Sequence, residues 1–213
     1  MDDAGRRLLK PIASYLNKIM FVQKLSILDN PLVEDYILPD QLFHKRNVYF
    51  TIRKEMINSD ALSLFDNLGL IIGGVIVFRK PPLGKSPVHT DILLTTDGWT
   101  VWKSAVNFTN SKAEMTWYET ALEPIVPFPQ KLRNQNDYRL SGIHYGRREN
   151  KDLSNGDFKI LHEEFIYTPA IVATDIPHSV VNLSDEERVC ISIRFKENYS
   201  FLELKEKFKN YLV

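Results

Sequence analysis

The sequence has a single cysteine, no excess of charge and, near its start, no long hydrophobic run. Because Cys190 is the only cysteine among 213 residues, no intramolecular disulfide can form, and a reducing compartment is expected. The 27 basic residues balance the 27 acidic ones, which argues against a broad surface for nucleic acid or anionic membranes. The longest apolar run in residues 1–25 is IMFV, too short for a signal peptide or a membrane span. We therefore expect a cytoplasmic protein.

The distribution of apolar residues predicts one domain of the α+β class, mainly β, with three parts. Apolar residues from Leu9 to Leu25 recur at roughly helical spacing, which predicts an amphipathic helix packed on the main body or, alternatively, bound to a partner. Ser59 and Gly69 are typical of the start and the end of a second helix. After Gly69, apolar, β-branched and aromatic runs alternate with turn residues. The predicted parts of the single domain 1–213 are a mostly helical region 1–69, a large antiparallel β unit 70–196 and a C-terminal helix 197–213.

Residues 124–157 form the longest stretch without a clear period. Three prolines and many polar residues predict a long loop or lid, and long loops in compact domains are usually functional or disordered. His144 and Tyr145 lie within this stretch and could contact an acidic substrate. A solvated loop is the plainer interpretation.

The stretch PVHTDILL places a histidine and an aspartate two positions apart in a strand-like run. Residues i and i+2 of a strand face the same side, so the side chains of His89 and Asp91 are expected to enter one space. The pair could share a metal ion, or it could be a histidine hydrogen-bonded to a neighbouring carboxylate. Both interpretations remain open for these two residues alone.

A second stretch, residues 174–195, has a histidine after a turn and then a strictly alternating strand. His178 begins an apolar run, and RVCISIRF alternates polar and apolar residues over positions 188–195. The apolar set is expected to be buried against other elements. The polar set, which lies either in water or in a polar cavity, consists of Arg188, Cys190, Ser192 and Arg194.

These residues together resemble the motif of a known enzyme family. Two imidazoles and one carboxylate on one face of Fe(II) leave its other coordination positions open. The order His89-x-Asp91, then His178, then Arg188 ten residues later resembles the Fe(II)/2-oxoglutarate-dependent dioxygenases. That family has the double-stranded β-helix fold, a jelly-roll or cupin-like barrel, and the resemblance covers about residues 70–196. It implies that helices of the N-terminal part pack outside this barrel.

The resemblance also implies roles for particular residues. His89, Asp91 and His178 would be the iron ligands and the catalytic centre, and Arg188 would bind the distal carboxylate of 2-oxoglutarate. Several subfamilies have a serine two residues after the arginine, where this chain has Cys190; Ser192 could substitute for it. Asn107 is a further candidate for contacting 2-oxoglutarate.

Tyr118 is another candidate for that contact, and for Tyr118 and Asn107 alike the alternative is ordinary strand packing. The spacing of Arg188 and Arg194 also resembles that of AlkB-type nucleic-acid demethylases. The short interval from His178 to Arg188 and the balanced charge argue against that subfamily.

The function implied by the resemblance is that of a hydroxylase. It would use Fe(II), 2-oxoglutarate and O2, with ascorbate as a supporting reductant, to oxidise a small-molecule or peptidyl substrate. Neither a broad nucleic-acid surface nor a membrane is expected as a partner. The alternative is a cupin-like metal-binding, ligand-binding or structural module without oxygenase activity, which has no need for a buried Arg188. If the oxygenase interpretation is right, Asp91→Ala should abolish turnover while the fold survives.

Overall fold

The computed structural model shows a chain built mainly of β-strands. The residues that it describes are 20–34, 48–95, 98–109, 111–122, 124–125, 142–145 and 157–213. No helix in these ranges is both long and apolar enough to cross a bilayer.

The described residues form thirteen strands and two short α-helices. The strands are β1 (Val22–Lys24), β2 (Val48–Ile52), β3 (Ile72–Lys80), β4 (His89–Thr95), β5 (Gly98–Val101), β6 (Ser104–Thr109), β7 (Ala113–Thr120), β8 (Pro124–Ile125), β9 (Gly142–Tyr145), β10 (Phe158–Ile166), β11 (Ala170–Ala173), β12 (His178–Asn182) and β13 (Arg188–Phe195). The helices are α1 (Ser59–Asn67) and α2 (Phe201–Lys207), and single 3₁₀ turns lie at Lys54–Met56 and Lys209–Tyr211.

The strands form two antiparallel sheets between which the chain alternates. One sheet has the order β1-β11-β6-β13-β3-β2, and the other has the order β10-β7-β12-β4-β9-β8, with β5 paired to β4. Along the chain, β3, β6, β11 and β13 belong to the first sheet, whereas β4, β7, β10 and β12 belong to the second. Two facing sheets, each with four strands that alternate along the chain in this way, define the double-stranded β-helix, in which the polypeptide winds from one sheet to the other. The predicted fold is therefore the observed one.

The larger hydrophobic core lies between the first sheet and the two helices. Val75 and Val77 of β3 and Ile193 of β13 contribute to it from the sheet, and Phe65 of α1 and Leu204 of α2 contribute from the helices. Because side chains alternate along a strand, this outer face of the sheet takes every second residue of β3 and β13. The remaining residues of those strands point between the two sheets.

A smaller core closes one end of the space between the sheets. It combines residues from both sheets, and its buried members are Phe21, Ala105, Met115, Trp117, Ile166, Ala170 and Val172. The other end of this space is bordered by β3, β4, β12 and β13, and its buried side chains are largely polar. The polar end is where the residues selected from the sequence lie.

The helix predicted at Ser59 is present, and a side-chain cap at its start and a glycine after its end define its length. The Asn58 side chain caps α1 by accepting a hydrogen bond from the backbone N–H of Ala61 at 2.8 Å. Gly69 follows the helix with a φ of 64°, a left-handed conformation that glycine adopts without steric cost. The predicted C-terminal helix is the shorter α2, which Ser200 caps.

The expectation of a mostly helical region 1–69 is wrong for its described part. Val22–Lys24, placed by sequence spacing in an amphipathic helix, is strand β1, and Val48–Ile52 is strand β2. Both are edge strands that gain backbone hydrogen bonds from a sheet built by residues far along the chain, and local periodicity does not register that gain. Residues 1–19, where the predicted helix begins, lie outside the described residues.

The predicted loop 124–157 contains two short strands. β8 and β9 pair with each other, and β9 pairs with β4, so this segment extends the second sheet beside PVHTDILL. Residues 126–141 and 146–156 lie outside the described residues.

Candidate metal centre

Neighbouring strands of the second sheet bring together the two histidines and the aspartate selected from the sequence. His178 at the start of β12 is the register partner of His89 at the start of β4. Asp91 lies two residues further along β4 and enters the same space, as strand geometry requires. One potential ligand atom from each of the three buried residues lies within 4.8 Å of the other two. Asp91 and His178, which lie 87 positions apart in sequence, therefore occupy adjacent positions in the fold.

The orientation of each imidazole is fixed by a backbone carbonyl. Nδ1 of His89 lies 2.8 Å from the carbonyl oxygen of Pro87, and Nδ1 of His178 lies 2.9 Å from that of Ile176. Because a carbonyl oxygen can only accept, Nδ1 is the protonated nitrogen in each ring, and Nε2 carries the lone pair. Such a bond from the distal ring nitrogen to a carbonyl is typical of histidines that bind metal through Nε2.

The Asp91 carboxylate has one oxygen held by an arginine and the other without a hydrogen bond. Nη2 of Arg194 donates to Oδ2 of Asp91 at 2.6 Å, and both side chains are buried. Oδ1 of Asp91 is buried, has no hydrogen-bond partner, and lies 3.5 Å from Nε2 of His89. A buried carboxylate oxygen of this kind is costly unless something else satisfies it. It faces the histidines, which is where a cation would be bound.

Charge and burial set the protonation of the cluster in the way that metal binding requires. Burial by itself would raise the pKa of Asp91, but the charge of Arg194 and its hydrogen bond, together with the two histidines, outweigh burial and keep that pKa below its usual value. Burial lowers the pKa of His178 and is only partly offset by the Asp91 carboxylate. Asp91 is thus ionised and His178 neutral near pH 7, and these are the protonation states of metal ligands.

The backbone around Asp91 is held on both sides. The N–H of Asp91 donates to the carbonyl of Thr174 at 3.0 Å, and the N–H of Trp102 donates to the carbonyl of Asp91 at 3.0 Å. The Thr174 hydroxyl donates to the Trp102 carbonyl at 2.8 Å, so hydrogen bonds join Asp91, Thr174 and Trp102 in a closed ring. The Trp102 ring also lies 5.7 Å from the guanidinium carbon of Arg194. Trp102 therefore contacts both the backbone that carries the Asp91 carboxylate and the cation that orients this carboxylate.

The donor set of the cluster fits a divalent transition metal. Two neutral imidazoles and one carboxylate are the ligands of the two-histidine, one-carboxylate facial set, which leaves positions open for other ligands. In the described part of the chain, no other group of three histidine, cysteine, aspartate or glutamate side chains is arranged to hold an ion. This cluster is therefore the candidate metal centre, and ligation by its residues stays a prediction.

The residues predicted to bind 2-oxoglutarate lie on the first sheet and face the same interior. Arg188 is only 4 % exposed, and its buried Nε has no hydrogen-bond partner. Ser192 of β13 and Asn107 of β6 are register partners, and Oδ1 of Asn107 is also buried without a partner. The polar side of RVCISIRF is therefore a buried lining and not a solvated face. Binding of 2-oxoglutarate by these three residues stays a prediction.

Tyr118 does not share a strand face with the cluster. Its neighbour Trp117 is the register partner of His178 and is buried between the sheets, so Tyr118 points to the other face of β7. The Tyr118 hydroxyl lies 3.0 Å from the hydroxyl of Ser179, the residue that follows His178. Strand packing, the alternative interpretation of Tyr118, is the one that this arrangement supports.

His144 has a backbone position close to the cluster. It lies on β9 as the register partner of His89, and not in an irregular lid. Its side chain lies outside what the structure describes.

The sequence motifs left two functional roles unassigned. Arg194 was placed on the polar side of its strand and at a noted spacing from Arg188, but its ion pair with Asp91 depends on the approach of the two sheets. Lys80 was not selected at all, although it ends a strand on whose inner face Ile76 and Phe78 precede it. The signal that could have revealed Lys80 is a lysine in phase with apolar residues at the end of a buried strand.

Comparison with known proteins yields remote structural similarities only. The sequence matches no protein-family model and has no significant match among curated proteins. Oxalate decarboxylase from Lactobacillus farciminis is similar over 74% of this chain and 31% of its own, with 9% identity and a TM-score of 0.35. YcfD from E. coli is similar over 95% of this chain and 48% of its own, with 11% identity and a TM-score of 0.43. An oxalate oxidase bound to glycolate is similar over 85% of this chain and 77% of its own, with 10% identity and a TM-score of 0.35.

The chain spans less than a third of the length of the oxalate decarboxylase and about half the length of YcfD. At these TM-scores the similarities carry no argument about activity. Together, the strand order and the buried cluster define the class: a cupin-like, double-stranded β-helix protein with a candidate metal centre. Its particular activity is a matter for proposal.

Proposed function

We propose that this protein is an Fe(II)- and 2-oxoglutarate-dependent oxygenase, most simply a hydroxylase of a small-molecule or peptidyl substrate. His89, Asp91 and His178 would hold the iron, and Arg188 would bind the distal carboxylate of 2-oxoglutarate. Bound Fe(II) would supply O2 activation coupled to decarboxylation of 2-oxoglutarate to succinate. The side chains of the protein would bind and orient the reactants.

The burial of Arg188 is the observation that carries this proposal. A metal-binding module without a cosubstrate has no use for an arginine enclosed on the inner face of a barrel strand. Arginine keeps its charge under all ordinary conditions, and burying it without a partner is expensive. Arg188 is 4 % exposed, with an unpartnered Nε, on the strand whose other end reaches Asp91 through Arg194. A carboxylate that also reaches the metal centre would satisfy it.

The protein residues would bind and orient the reactants. Arg194 holds Oδ2 of Asp91 and thereby directs Oδ1 towards the histidines. The carbonyls of Pro87 and Ile176 hold the imidazoles with Nε2 available to the metal. Three protein ligands would leave coordination positions of the metal open for the 2-oxo acid and O2. The burial of His89, Asp91 and His178 would limit the access of water to the reacting groups.

The second candidate is a cupin-like metal protein that does not use 2-oxoglutarate. The same histidine–aspartate–histidine cluster favours it equally, because that cluster specifies a metal and not a cosubstrate. The two candidates differ in what Arg188 does. If the protein is an oxygenase, replacing Arg188 weakens the binding of 2-oxoglutarate. If it is a cupin-like metal protein of the second kind, 2-oxoglutarate does not bind at all.

The experiment that tests the proposal measures binding first and turnover second. Calorimetry with Fe(II), kept anaerobic, and then with 2-oxoglutarate should show sequential binding to the purified full chain. In air, with Fe(II), ascorbate and 2-oxoglutarate, the protein should release succinate, with and without candidate substrates. His178→Ala should remove metal binding and succinate release.

The matched control is His162→Ala. His162 is a half-buried histidine on β10 that stacks on Phe21 with a centroid distance of 5.4 Å and is not part of the cluster. This variant should bind Fe(II) and 2-oxoglutarate like the wild type. The oxygenase proposal is wrong if the wild type binds neither Fe(II) nor 2-oxoglutarate and His178→Ala changes nothing.

A further inference from the structure

The polar end of the barrel interior contains a second cation beside Arg188. Lys80 at the end of β3 is the register partner of Arg188 at the start of β13. Register partners on antiparallel strands project to the same face, with Cβ atoms roughly 5 Å apart. Lys80 is 5 % exposed and Arg188 is 4 % exposed, so both long side chains are enclosed.

No described residue balances these two charges. Within the described part of the chain, neither Lys80 nor Arg188 has a carboxylate within salt-bridge distance. Arg79, the neighbour of Lys80 on the opposite face of β3, has its own partner in Glu187. Two adjacent buried cations repel each other, and an arginine cannot relieve the repulsion by losing its proton. Burial, followed by the charge of Arg188, accordingly lowers the pKa of Lys80 to about 7.

The backbone that presents the two cations is fixed by a buried amide. Nδ2 of Asn182 donates to the carbonyls of Lys80, Pro81 and Glu186 at 3.3, 3.0 and 2.7 Å. These carbonyls belong to the end of β3, the turn that follows it and the turn that precedes β13. The juxtaposition of Lys80 and Arg188 is therefore built into the fold. A lysine that only covered apolar surface with its aliphatic chain would leave its ammonium group in water, whereas Lys80 as a whole is only 5 % exposed.

We propose that Lys80 and Arg188 form a two-cation subsite for the distal carboxylate of an acidic 2-oxo acid. Lys80 is then a residue that determines specificity for the cosubstrate. This inference rests on the proposed function, since the 2-oxo group would lie at the metal centre. The carboxylate would receive the planar donor fork of Arg188 and the ammonium group of Lys80, and it would remove the repulsion between them. A 2-oxo acid with an uncharged end would leave both cations buried without a counter-charge.

The test compares two ligands that differ only at the distal end. In 2-oxopentanoate a methyl group replaces the distal carboxylate of 2-oxoglutarate. Binding of each is measured by calorimetry to the Mn(II)-loaded full chain, which avoids oxidation. The proteins are the wild type, Lys80→Met, Lys80→Gln and Lys80→Arg. Lys196→Met serves as the control, because Lys196 is an exposed lysine just beyond β13.

The expected result is a loss of affinity confined to the dicarboxylate. Lys80→Met and Lys80→Gln should weaken binding of 2-oxoglutarate about 10- to 100-fold, as expected for a lost hydrogen bond to a charged group. Their affinity for 2-oxopentanoate should stay within about twofold of the wild type, since that ligand makes no use of the cations. Lys80→Arg should keep most of the affinity for 2-oxoglutarate, and Lys196→Met all of it.

Failure of this inference can be told apart from failure of the proposed function. If Lys80→Met and Lys80→Gln bind 2-oxoglutarate as tightly as the wild type, the role of Lys80 is refuted while the oxygenase proposal stands. If the wild type binds neither 2-oxo acid, the oxygenase proposal fails, and glutarate then tests the carboxylate subsite in the same Mn(II)-loaded protein. If glutarate binds to the wild type but not to Lys80→Met, the carboxylate subsite stands although the oxygenase proposal fails. Absence of glutarate binding would refute the subsite as well.

Discussion

The two faces of β13 alternate residue by residue along one strand, yet they serve different purposes. On the outer face Val189, Ile191, Ile193 and Phe195 pack in the large core beneath the helices. On the inner face Arg188, Cys190, Ser192 and Arg194 are equally buried, but buried polar atoms of both arginines lack hydrogen-bond partners. The outer face shows what stabilises this fold, and the inner face shows where it tolerates unsatisfied groups. Such tolerance is expected at a binding site, where a ligand completes the missing interactions.

The largest effect is expected at the point where the inner face meets the second sheet. Asp91→Ala leaves the fully buried Arg194 without its carboxylate, and breaking a buried ion pair from one side costs about 3–5 kcal/mol. The expectation that the fold survives this change stays untested, and loss of turnover in this variant could not be separated from loss of stability. Urea denaturation measures the cost, and Mn(II) binding should be lost in the same variant.

Asp91→Asn separates the two consequences of that change. Its amide oxygen can still accept the hydrogen bond from Arg194, so the loss of stability should be smaller than for Asp91→Ala. Metal affinity should nevertheless fall, since the negative charge is gone. Equal stability of the alanine variant and the wild type would contradict the ion pair described here.

A second large effect is expected on the outer face, but without any change at the site. Phe65 is 1% exposed and lies with its ring 5.4 Å from that of Phe195. Phe65→Ala should lower the free energy of unfolding by about 3–5 kcal/mol through lost burial and a cavity. Mn(II) affinity of the folded protein should remain unchanged. If metal affinity fell together with stability, the two faces would not be independent.

A smaller effect, opposite in sign, is expected for Lys80. The pKa of Lys80 is lowered from 10.5 to about 7 in the folded state. Below pH 7 both the folded and the unfolded state carry the proton, and the buried charge of Lys80 then lowers the free energy of unfolding. Between about pH 7 and 10.5 the unfolded chain keeps that proton while the folded protein releases it, so stability rises with pH. Without metal or ligand, Lys80→Met should gain on the order of a few kcal/mol at pH 7.

The pH profile makes this prediction specific to Lys80. The difference in unfolding free energy between Lys80→Met and the wild type should shrink from pH 7 to pH 10, as measured by urea denaturation with a chelator present. A difference that is constant with pH would mean that Lys80 does not titrate in this way.

The smallest effect is expected outside the strands, at the N-terminus of α2. Ser200 caps α2 by a capping box, with its backbone N–H donating to Oε2 of Glu203 at 2.7 Å. Ser200→Ala should cost about 1 kcal/mol, as is usual for the loss of an N-cap. Binding of metal and of 2-oxoglutarate should not change. A loss of metal affinity in this variant would show that α2 influences the site through the sheet.

Local patterns were sufficient for much of the fold because burial imposes a strict period on strands. The alternation in RVCISIRF correctly separated the apolar outer face from the polar inner one, and the spacing of His89 and Asp91 correctly placed both on one side. The patterns failed at β1, β2, β8 and β9, which are short and lie at or near sheet edges. Such strands depend on backbone hydrogen bonds to distant partners, and side-chain periodicity does not report those partners.

The sequence by itself determined the strand period, the order of the histidine–aspartate–histidine–arginine set and the face of β13 that carries its polar residues. Only the tertiary structure decided that Arg194 holds Asp91, that carbonyls orient both imidazoles and that Lys80 lies beside Arg188. The physical reason is that alternation is a property of one strand, whereas partners across the barrel depend on the register and approach of two sheets. Sequence can therefore indicate which side chains enter the interior, and the fold decides which of them meet.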